Sequence, residues 1–119
     1  MQYSIPDKRE LTPIEIQFLV YLFRTVKPEW LNEISKLKVI ARCGCGTCPT
    51  ILLGKSFDAK VEMGHLLMDF AGKDQNGNLI GVSVFANGLY PTQLEFHSVD
   101  GLAETVSYPE INTLESLNS

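Results

Sequence analysis

The stretch HLLMDFAGKDQNGNLIGVSVFA, residues 65–86, decides the fold class. Its first nine residues put Leu66, Met68 and Phe70 on one side and His65, Asp69 and Lys73 on the other. That is the period of two expected of a half-buried strand, blurred only by Leu67 and Ala71. Asn76-Gly77-Asn78 is a tight-turn signal, and Leu79 to Ala86 returns as an apolar strand. A second turn at Asn87-Gly88 leads to Leu94, Phe96 and Ser98, which alternate with Gln93, Glu95 and His97. Upstream, Lys38 to Cys43 and Thr50 to Leu53 flank a cysteine turn and read as another hairpin, with a polar connection over 54–63.

The residues before this β-rich region carry helix signals. Thr12 is a good N-cap, Pro13 suits the first helical position, and Glu15 completes a capping box. Pro28 ends that helix by residue 26 or 27 and opens a second one, in which Trp30, Leu31, Ile34 and Leu37 form an apolar stripe. The first helix is apolar around nearly its whole circumference, from Ile14 to Phe23. This predicts burial on several sides, in its own core or against a second copy of the chain. The expected architecture is therefore α+β, with two N-terminal helices packed on one face of a roughly five-stranded antiparallel sheet. Residues 1–119 form one domain, with 1–99 the core and 100–119 an acidic extended tail. Trp30, Met63 and Met68 are assigned to the core.

At 119 residues, 45% hydrophobic and 20% charged, the composition is that of a single globular domain. The longest apolar run, Phe18 to Phe23, is too short to span a bilayer, and the first residues lack the apolar segment of a signal peptide. Three cysteines within six positions cannot staple a secreted fold along its length, so a reducing cytoplasmic setting is expected. The formal net charge of −4 hides an asymmetry. Residues 1–60 carry net +3, whereas residues 61–119 carry net −7 with Lys73 their single cation. Such a second half disfavours nucleic acid and suits a basic protein partner, unless its charge serves solubility alone. Asp69, Asp74, Glu95, Asp100 and Glu104 are the candidate partner-binding carboxylates.

The most distinctive chemistry is Cys43-x-Cys45-x-x-Cys48. The simplest reading is a turn permitted by Gly44 and Gly46, its cysteines packing as small, weakly polar side chains. A zinc site would use all three with His65 or His97 as fourth ligand, but a second Cys-x-x-Cys pair is missing. A redox dithiol wants a helix N-terminus to hold its thiolate, and Pro49 followed by Thr50 to Leu53 offers none. A cysteine nucleophile needs a histidine base, and neither His65 nor His97 stands in such a motif. There is no P-loop, dinucleotide fingerprint, His-Glu-x-x-His or Gly-x-Ser-x-Gly. No enzyme is expected, and zinc at the cysteines is the one candidate cofactor.

The run Arg9-Glu10-Leu11-Thr12-Pro13-x-Glu15, with Ala41-Arg42-Cys43-Gly44-Cys45-Gly46 and Pro49-Thr50, resembles a set of small bacterial proteins. They share a capped N-terminal helix and a Cys-Gly-Cys-Gly turn before a Pro-Ser/Thr strand. The resemblance covers about half of the chain and implies no functional residues; here Thr47 separates Gly46 from Cys48. By class rather than motif, the chain is similar to bacterial immunity proteins, including those of contact-dependent growth inhibition. That likeness implies neutralisation of a toxin domain by occlusion through carboxylates.

Overall fold

Arg9 and Glu15 show how the chain turns from its first strand into its helix. The computed structural model describes residues 4–45, 47–103 and 105–117. Strand β1 (Ser4–Arg9) runs into helix α1 (Pro13–Val26). Thr12 Oγ1 accepts from the Glu15 N–H at 3.3 Å, and Glu15 Oε1 accepts from the Thr12 N–H at 2.8 Å. The same carboxylate takes two bonds from the Arg9 guanidinium, each 2.9 Å, so the expected capping box is locked onto β1. α1 buries Phe18, Leu19, Leu22 and Phe23 completely. Each such side chain contributes about 1.5–3 kcal/mol.

The chain continues through a 3₁₀ helix (Pro28–Lys36), β2 (Lys38–Cys43), β3 (Ile51–Gly54), β4 (His65–Lys73), β5 (Leu79–Ala86), β6 (Pro91–Ser98), a short 3₁₀ turn (Ile111–Thr113) and β7 (Glu115–Ser116). The strands form one sheet in the order β1-β2-β3-β6-β5-β4-β7, and every neighbouring pair is antiparallel. β4, β5 and β6 are the expected meander, reversed so that β6 lies beside β3. Thr50 Oγ1 pins that junction by accepting from the Phe96 N–H (2.9 Å) and donating to the Phe96 carbonyl (3.2 Å).

The five-stranded sheet with two packed helices is corrected to a sheet-dominated α+β fold with seven strands among the described residues. The two extra strands come from the chain ends. Ser4–Arg9 holds Pro6 and three charges, without alternation, because it pairs on one side only; Pro and charge are tolerated at an edge. Two-residue β7 is too short to show any alternation. The second helix is a 3₁₀ run of nine residues. It still buries Trp30 and Ile34 against Phe23, Met68, Val84 and the rest of one core. The opposite face carries a smaller cluster of Ile40, Ala41 and Leu52 with Ala59 packed on it.

Residues 105–117 are not a free tail. The Tyr108 ring stacks on Phe18 at 5.4 Å and meets Phe96 edge-on at 5.1 Å, and Leu114 is buried. The Leu117 N–H bonds the Asp69 carbonyl beyond β7. Met63, assigned to the core, is exposed in the connection before β4, whereas Met68 and Trp30 are buried. α1 is covered on one broad face, and Ile14 and Ile16 remain exposed. Among the described residues no helix is long and apolar enough to cross a membrane.

Candidate metal centre

The cysteines sit in the loop joining β2 to β3. Cys43 is the last residue of β2, and its N–H donates to the Thr50 carbonyl at 3.1 Å, closing the hairpin around residues 44–49. Within the closed loop the backbone turns its amides onto sulfur. Cys45 Sγ accepts from the Cys48 N–H (3.3 Å), the Thr47 N–H (3.5 Å) and the Thr47 hydroxyl (3.7 Å). Cys43 Sγ accepts from the Cys45 N–H at 3.4 Å. The three Sγ atoms lie within 4.8 Å of one another, and those of Cys45 and Cys48 are 3.2 Å apart. Three cysteines so gathered can bind a metal ion.

The amides also set the thiol acidities. The Cys48 N–H first, and the Thr47 N–H second, stabilise negative charge on Cys45 and bring its pKa down to about 6. Burial pushes the Cys43 thiol up to about 11. The role that sequence reasoning assigned to a helix N-terminus is thus filled by two loop amides. Only the Thr47-Cys48 placement after Cys45 hinted at this, because an amide two or three residues on is where a turn can direct it.

Zinc–thiolate bonds of about 2.3 Å, arranged tetrahedrally, separate neighbouring sulfurs by about 3.8 Å. The observed sulfur separations, from 3.2 Å up to at most 4.8 Å, lie within about 1 Å of that spacing. Neither histidine joins it: among the described residues the gathered group is Cys43, Cys45 and Cys48. His97, on β6, instead covers Gly81 of β5, with Nδ1 3.8 Å from Glu95 Oε2. A Cβ on Gly81 would lie 2.3 Å from His97 Cε1, so a larger residue there would require the His97 ring to shift. His65 begins β4 beside a groove formed with Lys27 and Trp30.

The carboxylates divide. Asp69 of β4, Ser83 of β5 and Glu95 of β6 are opposite one another in register and share the sheet face away from α1. Ser83 Oγ donates to Asp69 Oδ1 at 2.8 Å. Asp74 is only 7% exposed and is consumed by its own turn. It accepts from the Asn76 and Asn78 N–H groups, the Asn78 amide and the Ser107 hydroxyl. The Asn78 side chain leads the groups that hold its pKa below the usual range. Asp100 caps a turn through the Ser98 hydroxyl and the Leu102 N–H. Glu104 lies outside the described residues. Asp69 and Glu95 thus share one sheet face with Ser83 between them, and Asp74 and Asp100 make turn-capping bonds. Compared with protein-family models, curated proteins and solved structures, the chain matches none of them.

Proposed function

We propose that this chain is a binding domain that holds one thiophilic metal ion, with zinc the ion expected, through Cys43, Cys45 and Cys48. The observation that carries the reading is the convergence of three Sγ atoms within 4.8 Å in a loop whose amides point at sulfur. Thiolate is the soft ligand that zinc prefers. Bound zinc would supply a cross-link across the β2–β3 loop. Cys43 would anchor it to the strand end, while Cys45 and Cys48 would close over it from the turn. Cobalt titration of the reduced protein, with native mass spectrometry, tests this. One ion per chain and a thiolate-to-cobalt absorption band are expected, and Cys45→Ser should weaken binding at least about tenfold. A metal-free mass without that band rejects the reading.

A second reading is a non-enzymatic protein-binding module that neutralises a basic toxin domain by occlusion, in the manner of an immunity protein. It is favoured by the shared outer face of Asp69 and Glu95, within a half of the chain carrying net −7. Complementary charge there would speed encounter and select the partner. Asp69→Lys with Glu95→Lys should slow association with a toxin domain encoded beside this chain by about tenfold or more at low salt. Unchanged association with every basic candidate removes the reading. Self-association through α1 is the remaining partner proposal, supported by the apolar groove along Ile16, Val20 and Tyr21.

A further inference from the structure

We infer that Cys45 and Cys48 are an intramolecular thiol–disulfide couple, with Cys43 left as a free third thiol. The couple shares its loop with the metal reading and rests on that reading only for its consequence, that oxidation removes two of three ligands. Three observations carry it. The Cys45 and Cys48 sulfurs are already 3.2 Å apart, so closure to a bond of about 2.05 Å needs a movement of about 1.2 Å. The Cys48 N–H and Thr47 N–H both bond Cys45 Sγ, which draws residue 48 over residue 45 before any bond forms. Cys45 is exposed while Cys43 and Cys48 are half-buried, so an incoming oxidant meets Cys45 first. Cys43 is held back by its bond to Thr50 at the strand end.

The oxidant class is a low-molecular-weight disulfide, RS–SR. Cys45 gives up its proton and attacks one sulfur; the RS–SR bond breaks, a Cys45–SR bond forms, and the departing RS⁻ takes up a proton. Cys48 then loses its proton and attacks the Cys45 sulfur, forming the Cys45–Cys48 bond and expelling the second RS⁻. In sum, two protein thiols and one RS–SR become one protein disulfide and two RSH.

The test equilibrates the full-length, chelator-treated protein across reduced-to-oxidised glutathione ratios, quenches with an alkylating agent and maps the peptides. Loss of two thiols per chain is expected, with Cys45 linked to Cys48 and Cys43 alkylated. Cys43→Ser should keep the same midpoint within about twofold, and Cys48→Ser should stop at the glutathione adduct on Cys45. Three alkylated cysteines in fully oxidised buffer overturn the inference, as does a dominant bond involving Cys43 or a second chain. The wild-type map decides even if a variant misfolds. Cobalt binding without disulfide formation removes the couple and leaves the metal reading standing; disulfide formation without cobalt binding does the reverse.

Discussion

Glu15 carries more of the local structure than its place in a capping box suggests. It is 1% exposed, accepts both Arg9 bonds and closes the Thr12 cap. Arg9 itself stays partly solvated. Removing the carboxylate therefore loses a cap and charge-assisted bonds without stranding a fully buried cation. Glu15→Ala should cost about 2 kcal/mol in denaturant unfolding; a loss below about 0.5 kcal/mol would contradict this account. Burial alone would raise the Glu15 pKa, but the Arg9 and Thr12 bonds outweigh it and hold the carboxyl low. Its contribution is then complete above the unfolded value of about 4.3 and is lost as pH falls through the lower folded value. Denaturant midpoints measured from pH 6 to pH 3 should fall, and Glu15→Gln should flatten part of that fall.

Between elements, the decisive contacts are close approaches that no single strand announces. Gly81 makes room for the His97 ring across the β5–β6 pair. Gly81→Ala should destabilise by about 1–2 kcal/mol through that overlap. In a His97→Ala background the same change should cost much less, and equal costs in a double-mutant cycle would refute the contact. Tyr108 binds the C-terminal segment to α1 and β6. Tyr108→Ala should cost about 3 kcal/mol on unfolding, where a free tail would register almost nothing.

For the molecule as a whole, a metal bound only by the folded loop stabilises by mass action, by about 2.7 kcal/mol at a hundredfold excess over its Kd. Zinc should raise the melting midpoint by about 10 °C relative to a chelator. Cys45→Ser, binding at least about tenfold more weakly, should cut the difference to about half or less, and coincident wild-type melts would count against the site. Sequence reading found α1, the β2–β3 hairpin and the β4–β5–β6 meander because their determinants are local. Thr12, Pro13 and Glu15 are neighbours in a cap, His65–Lys73 carries its own period, and the Asn76-Gly77-Asn78 turn leads into the apolar run Leu79–Ala86. The cysteine spacing was likewise plain. Tertiary structure alone decided the β3–β6 junction, the edge roles of β1 and β7 and the docking of Tyr108. Those contacts join residues tens of positions apart, where total apolar burial and the pairing of every backbone group choose among arrangements that local preference leaves equal.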